Sequence, residues 1–500
     1  MATAEQPVAL TPSPPTVDRA RVIQALKGIV PPAGVLTSEE ARRPYECDGL
    51  TAYRRLPMVV VLPDTADQVA RILSVCHEMR VPVVARGAGT GLSGGALPAE
   101  DGVLLSLSKF SRIIGVDQAN RTARVQPGVR NLAISQHVAP LGLYYAPDPS
   151  SQIACSIGGN VAENSGGLHC LKYGLTVHNI LSLEVITIEG ERLTIGADGL
   201  DAAGYDLLAL MTGSEGLLAV IVEVTVKLLP LPECARVLLA AFDSVEAAGA
   251  AVNEVISAGI IPAGLEMMDN FAIRATDEFC GAGYPTDAAA ILLCELDGTE
   301  DEVADQIEAT QSLFRGCGAV EIRVAADDDE RARFWAGRKA AFPAAGRLSP
   351  DYYCMDGTIP RRELPSVLTK MDALSEDYGL PIMNVFHAGD GNLHPLILYD
   401  ANVAGEIERV EELGGKILEL CVAAGGTITG EHGVGIEKID QMCVQYASGE
   451  LQQFHAVKHA FDERGLLNPG KAIPTLTRCA EIGGMHVHQG QVPFPDIERF

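Results

Sequence analysis

The 500-residue chain carries twelve cysteines, but no two of them stand in a C-x-x-C or similarly tight spacing. That absence excludes a zinc finger or an iron–sulfur cluster held by this chain, because both need thiolates gathered at one point; the cysteines are expected as buried or free thiols. No run of about 18 apolar residues occurs, so no segment is expected to span a membrane. Basic residues are scarce: 38 Lys and Arg stand against 65 Asp and Glu, a formal net charge of -27 at pH 7. Long-range repulsion then argues against nucleic acid or an anionic membrane surface as a direct partner. It leaves room for a small anion drawn to a local basic site. Residues 1–15 are rich in Pro and Thr and lack the pattern of a secretory signal, so a reducing cytoplasm is the expected compartment. There is no internal repeat and no long low-complexity tract.

What the chain does have is core-forming residues and concentrated glycine. Hydrophobic residues make up 47% and charged residues 21%, as in a folded globular protein, and the length implies two or three domains at about 150 residues each. Five glycines fall within ten positions in the run Arg86, Gly87, Ala88, Gly89, Thr90, Gly91, Leu92, Ser93, Gly94, Gly95. Side-chain packing cannot hold such a segment; its backbone is there to approach something. Val81-Pro82-Val83-Val84-Ala85 just upstream reads as a buried strand. The glycines therefore follow a strand end, where N–H groups can turn toward a phosphate. The functional reading is a pyrophosphate cradle. The alternative is a glycine-rich surface turn, because a lone glycine fingerprint is weak.

Around this run the pattern is α+β. Residues 17–28 suit a leading helix and 57–63 a strand bounded by prolines. Residues 64–79 suit a helix with N-cap chemistry at 64–67 and an apolar face of Val69, Ile72, Leu73 and Cys76. Strands are expected at 102–107, 113–117, 122–126, 181–188, 191–195 and 218–229, with a helix at 131–141. Residues 147–174 hold Pro147-Asp148-Pro149-Ser150-Ser151, Cys155-Ser156-Ile157-Gly158-Gly159-Asn160 and Asn164-Ser165-Gly166-Gly167. With apolar residues interleaved, this reads as backbone shaped around a large polar ligand. Pro230-Leu231-Pro232 is the boundary candidate, since prolines interrupt both regular structures. Beyond it, strands at 236–242, 289–296 and 320–325 alternate with helices at 245–257, 301–315, 331–341, 365–378, 404–424 and 451–461, an α+β layer. A hairpin at 382–399 and a glycine loop at 425–435 lie among them; the acidic run 327–330 reads as a solvated helix start.

The sharpest constellation is His387-Ala388-Gly389-Asp390-Gly391-Asn392-Leu393-His394. With Asp390 and Gly391 as a two-residue hairpin turn, His387 falls directly opposite His394. Opposed Cβ atoms about 5 Å apart let two imidazoles share one metal; the alternative is a histidine pair hydrogen-bonded in a core. In Gly430-Glu431-His432-Gly433 the flanking glycines let adjacent side chains point apart. Glu431 is assigned to the metal, completing a two-His, one-carboxylate set with open positions, and His432 is the candidate general base. Glu431 could instead only pair with Lys438. Arg338, three residues after the single tryptophan, Trp335, is a candidate to hold a carboxylate bidentately; the alternative is an exposed arginine.

Together these segments resemble a known family. Residues 86–95, 147–151, 157–160 and 164–167 resemble the FAD-binding domain of the vanillyl-alcohol oxidase superfamily (PCMH type). Residues 387–394, 430–435 and 468–470 resemble its branch of FAD-linked 2-hydroxy-acid dehydrogenases. The resemblance covers residues 40–475. It implies an α+β fold with an N-terminal segment at 1–50, a two-part FAD-binding domain at 51–231, an α+β substrate (cap) domain at 232–475 that returns to the flavin at its end, and a tail at 476–500. It implies FAD contacts from residues 86–95, from Pro147, Asp148, Ser150, Ser151, Gly158, Gly159, Asn160, Asn164, Gly166, Gly167, Tyr173 and Gly174, and from Glu215, Gly216, Ile221 and Asn468. It also implies His387, His394 and Glu431 as ligands of a divalent metal (Zn, Mn or Fe), His432 as the active-site histidine and Arg338 as the substrate-binding arginine. Members that attach FAD through this loop use a histidine; residues 86–95 contain none, so FAD is expected to be non-covalent. The 2-hydroxyglutarate enzymes of the branch carry a Thr four residues past the Arg and a Lys near residues 352–356. Phe342 and Cys354 stand there in this chain, which points to a smaller, monocarboxylic substrate.

The activity implied is oxidation of glycolate or D-lactate, or alternatively D-2-hydroxyglutarate, by hydride transfer to FAD. The metal would acidify the substrate hydroxyl, His432 would take its proton and Arg338 would orient the carboxylate. Because this chain holds no cluster to pass electrons on, the resemblance implies flavoprotein and iron–sulfur partner subunits and, through them, a peripheral place at the inner membrane. Two other classes compete. A metal-dependent hydrolase leaves the glycine loops unexplained, and a non-catalytic flavin-binding subunit would be yellow but would not bleach with any 2-hydroxy acid.

Overall fold

In the computed structural model, residues 17–199, 203–475 and 479 are described. The expectations for residues 1–15 fall outside them, as does the tail after Pro474 apart from Thr475 and Cys479. Three β-branched and leucine-rich runs build the parallel part of the first, four-stranded sheet: Val59–Val61 and Val83–Arg86 each pair in parallel with Val103–Ser106, and the short Val35–Leu36 pairs antiparallel with Val59–Val61. Continuously apolar strands suit a parallel sheet covered on both faces, and Val59, Val60, Val61, Val83, Leu104 and Leu105 are fully buried. The Ala66–Met79 helix joins the first two runs. Thr65 caps it by accepting from Gln68 N at 3.3 Å, and Val69, Ile72, Leu73 and Cys76 form its buried face, as their spacing predicts.

A second, antiparallel sheet has the order Ile113–Asp117, Thr122–Val125, Val220–Lys227, Ile180–Ile186, Arg192–Gly196. The end of the chain returns to the first sheet: Val83 N donates to Leu466 O and Asn468 N donates to Val83 O, both at 2.8 Å. Asn468 is thereby fixed beside the strand that enters the glycine run.

The rest of the chain forms an eight-stranded antiparallel sheet. Its order is Ala319–Val324, Cys234–Phe242, Ala290–Gly298, Gly264–Asp269, Ile382–His387, Asn392–Tyr399, Asp351–Cys354, with the short Gly357–Thr358 also on Asn392–Tyr399. Helices Val245–Ser257, Glu300–Gly316, Leu364–Tyr378 and Glu406–Ala423 pack one face; Asn270–Cys280, Asp328–Lys339 and Ala341–Leu348 pack the other. Asp327 caps its helix by accepting from Glu330 N at 2.8 Å, so the acidic run is a helix start. Gly264–Asp269, Asn270–Cys280 and Ala341–Leu348 are additions to the sequence reading. The strand Gly-Leu-Glu-Met-Met-Asp neither alternates nor carries β-branched residues, yet it is central and covered on both faces. Pro343 is tolerated in Ala341–Leu348 because it sits in the first turn, where its missing N–H is not needed.

Two expectations are corrected. His387 pairs with Asn392, and His394 with Val385, so the histidines are diagonal rather than directly opposed. A two-residue Asp-Gly turn needs positive φ at both positions; Gly391 has φ 85, but Asp390 is not left-handed. The chain makes a longer loop instead, with Gly391 N donating to His387 O at 3.0 Å. The shared face survives, because Asn392 and His394 lie two residues apart on one strand. Second, Cys443 and Cys479 form a disulfide, so the thiols are not all free; a separation of 36 residues is invisible to a search for tight spacing. Among the described residues, no helix is long and apolar enough to cross a membrane.

Candidate active site

A cavity of about 450 Å³ brings the two halves of the sequence reading together. Arg86, Gly87, Ala88, Gly89, Thr90, Gly91, Leu92 and Gly95 line it, with Ser150, Ser151, Gly158, Gly159, Asn160, Glu215, Gly216 and Ile221. Arg338, His394, Glu431 and His432 line the same space. Gly89 is left-handed at φ 72, and a Cβ there would collide with the Arg86 guanidinium, which itself donates from Nη1 to Cys47 O at 2.6 Å. Backbone stripped of side chains beside a cavity is what a pyrophosphate cradle requires, and these residues fit an FAD.

Other predicted contacts stand behind that wall and shape it. Ile436 N and Glu437 N donate to Ser93 O at 2.9 and 3.2 Å, tying the glycine run to the loop after His432. At this junction Gly435 has φ 53, and a Cβ on it would collide with Ser93 O. Gly94 packs against Ile436. Pro147 O accepts from Asn131 Nδ2 at 3.0 Å, and Asn164 Oδ1 accepts from Val177 N at 2.9 Å. The Asp148 carboxylate is spent on His169, 2.8 Å from Nδ1, and Tyr173 donates its hydroxyl to Asp297 at 2.6 Å. Asn468 Nδ2 donates to Gly95 O and Glu215 O at 2.9 and 2.6 Å. Gly166, Gly167 and Gly174 border a smaller cavity of about 200 Å³ that also touches His387, Asp390 and Glu431.

The histidines come from the eight-stranded sheet. Met267 pairs with Phe386, which sets Glu266 across from His387; His394 follows on the next strand. His387, His394 and Glu431 each place a ligand atom within 4.8 Å of the others. Glu431 Oε1 is 2.9 Å from His394 Nε2 and 3.4 Å from His387 Nε2. His394 Nδ1 faces Met355 O at 3.3 Å, which leaves its buried Nε2 to the Glu431 carboxylate. Glu266 Oε1 lies 2.8 Å from His387 Nδ1. A carboxylate there turns the Nε2 lone pair toward the cluster, as metal-ligating histidines require. Burial opposes charge on His387, yet Glu266 and Glu431 hold its pKa well above the ordinary value. The cluster draws positive charge, and its donor set fits a divalent cation.

Glu266 has a second role. Its Oε2 accepts from Arg338 Nε at 2.9 Å and lies 2.8 Å from Nη2. Arg338 is 3% exposed, so the surface-arginine alternative fails, and Glu266 is 1% exposed. Burial works against the Glu266 carboxylate, but His387 and Arg338 together keep its pKa below the ordinary range.

A hidden ion pair sets the Glu431–His432 turn. Lys438 does not pair with Glu431; its Nζ donates to Asp356 Oδ2 at 2.8 Å, both residues fully buried. Asp356 also accepts from Thr429 Oγ1, Gly430 N, His432 N and Asn392 Nδ2 at 2.7, 3.0, 2.9 and 2.9 Å. Burial opposes its ionisation, but Lys438, then His432 and His394, hold its pKa far below the ordinary value. The His432 ring stacks on His394 with centroids 5.0 Å apart. Burial pushes the His432 pKa down to about 4, so it is neutral and can accept a proton. Sequence reasoning missed Glu266 and Asp356. Their one signal is an acid inside an apolar strand run, Gly-Leu-Glu-Met-Met and Tyr-Tyr-Cys-Met-Asp.

A glycine-lined cavity meeting this cluster across two packed α+β units defines an FAD-linked oxidoreductase. The FAD binding domain family matches residues 57–196, and the C-terminal domain of FAD linked oxidases matches residues 231–472. The glycolate oxidase subunit GlcD of Escherichia coli (strain K12) is 66% identical over 486 residues, 97% of each chain. GlcD of Bacillus subtilis (strain 168) is 40% identical, covering 87% of this chain and 93% of its own. The D-lactate dehydrogenase of Anaerostipes hadrus is 32% identical, covering 90% and 96%. In fold the chain matches p-cresol methylhydroxylase at a TM-score of 0.78, with 17% identity over 92% of this chain and 97% of that one. The chain belongs to the family of FAD-linked oxidases that holds the GlcD subunits and these D-lactate dehydrogenases.

Proposed function

We propose that the chain oxidises a small 2-hydroxy acid, glycolate or D-lactate, to the 2-oxo acid, with residues 51–231 holding FAD and residues 232–475 presenting the substrate. The observation that carries this reading is that Arg338, His394, Glu431 and His432 line the cavity that the glycine run borders. When bound, non-covalent FAD supplies a hydride acceptor, and a divalent cation (Zn, Mn or Fe) held by His387, His394 and Glu431 makes a substrate hydroxyl more acidic. Arg338 has Nε and Nη2 turned to Glu266, so its remaining N–H groups hold the substrate carboxylate. This contact aims the substrate carbon at the flavin and makes orientation a large part of the rate. His432, kept neutral by burial, takes the hydroxyl proton. Phe342 and Pro343 line the cavity close after Arg338 in sequence, and an apolar wall there suits a substrate with one carboxylate. Exposed Lys339 also lines the cavity and favours anion entry despite the chain's net charge of -27.

Electrons then pass to partner subunits, a second flavoprotein and an iron–sulfur protein, which would hold the chain at the membrane periphery. Support for this comes from relatives named as oxidase subunits. The test is anaerobic flavin reduction. The purified yellow protein should bleach with glycolate or D-lactate and respond weakly to D-2-hydroxyglutarate, and bleaching should stop when a chelator removes the metal while the flavin stays bound. A protein that bleaches with none of these acids would refute the reading.

A further inference from the structure

Cys354 stands where the 2-hydroxyglutarate enzymes of the branch carry a Lys, and no contact described so far uses its thiol. It pairs with Leu396 at the sheet edge, and Leu396 lies two residues from His394, so strand alternation puts Cys354 and His394 on one face. Cys354, His394 and His432 each place a ligand atom within 4.8 Å of the others, a second donor set beside His387, His394 and Glu431. Cys354 is 6% exposed, and its thiol donates one hydrogen bond, to Met355 O at 3.4 Å. His432 Nδ1 is buried with no hydrogen-bond partner. Two imidazoles and a thiolate select a softer cation than two imidazoles and a carboxylate do. His394 belongs to both sets. One imidazole serving both sets makes the two ions compete for it.

We propose that Cys354, His394 and His432 form an alternative, thiol-containing cation site that takes Cd²⁺ in place of a cation on His387, His394 and Glu431. On binding, the thiol S–H bond breaks, its proton passes to solvent and a sulfur–metal bond forms, with no change of oxidation state. The same ion occupies His432 and takes it away from the substrate. Cd²⁺ therefore inhibits this enzyme by occupying the site, while Mn²⁺ does not. The inhibitory consequence rests on the function proposed above; the existence of the site does not.

The test uses flavin-loaded protein freed of metal by chelation and titrated with CdCl₂ or MnCl₂. Cd²⁺ should produce an ultraviolet cadmium–thiolate band that is absent from Cys354→Ser, saturate at one ion per chain for that difference signal, and, added to protein reloaded with Mn²⁺, slow substrate bleaching more than tenfold. Mn²⁺ should give no band. Cys354→Ser, with its flavin content as the check on folding and its own Cd²⁺-free rate as the reference, should resist Cd²⁺ at concentrations that stop the parent; Cys354→Ala replaces it if the serine variant loses flavin. Equal bands and equal inhibition in parent and variant would overturn the proposal. If no 2-hydroxy acid bleaches the flavin, the difference band alone still decides whether the site exists.

Discussion

The glycine run and the histidine–carboxylate cluster border one cavity, but they are made in opposite ways. The first is built from backbone: its positions work because side chains are missing, and Gly89 and Gly435 each lie where a Cβ would collide with a neighbour. The second is built from side-chain atoms supplied by Glu266, His387, His394 and Glu431, gathered by strand register and one turn. A backbone site breaks when an atom is added, and a side-chain site when one is removed. The two also differ in their supports. The cradle leans on main-chain hydrogen bonds, whereas every buried charge in the cluster leans on another buried charge, so single losses there spread.

The contrast is sharpest at His432. His432→Ala should slow substrate-dependent bleaching roughly a hundred- to ten-thousand-fold, while the flavin spectrum is unchanged; loss of the flavin instead would show that the halves are not separable. Asp356→Asn leaves Lys438 buried without its counter-charge and should lower stability by about 3–5 kcal/mol, read by denaturant unfolding. Gly435→Ala adds one methyl at a left-handed position facing Ser93 O and should cost about 1–3 kcal/mol from backbone strain alone. It should lower flavin and metal content together, because this glycine joins the two regions. Glu266→Gln should weaken metal binding about 10–100-fold and raise KM more than it lowers kcat, since Arg338 loses its brace. Unchanged metal affinity would break the link drawn between Arg338 and His387.

The smallest effect is a stability profile. Both Glu437 oxygens are buried without a hydrogen bond, and burial pushes its pKa up from 4.5 to about 8 against the pull of Lys438. Between those values the folded state holds a proton that the unfolded state has lost, so stability falls as pH rises through that window. Glu437→Gln should raise Tm by a few degrees at about pH 9 and leave it unchanged below about pH 4.5. A constant gain at all pH would assign the effect to packing.

How much could be read beforehand follows the same division. That the glycine run lines a cavity was legible because so glycine-dense a segment after a strand brings backbone close to something, and the apolar face of Ala66–Met79 followed from spacing alone. His387, His394, Glu431 and His432 were legible as residue types in a pattern, although the pairing drawn for the histidines was off by the length of one loop. Glu266 and Asp356 were not legible. Each is one acid in an apolar run, and its meaning lies in partners 121 and 82 residues away, His387 and Lys438. The Cys443–Cys479 disulfide escaped for the same reason.

The sequence by itself determined that a backbone-lined ligand loop, an α+β organisation and a set of metal-competent side chains exist, because composition, periodicity and short motifs are local properties. Only the tertiary structure decided that Arg338 and His387 share one carboxylate, that Lys438 belongs to Asp356 and not to Glu431, and that Cys354 stands beside the histidines. Those are distances between strands and turns far apart in the chain, and a buried charge takes the partner that folding brings to it.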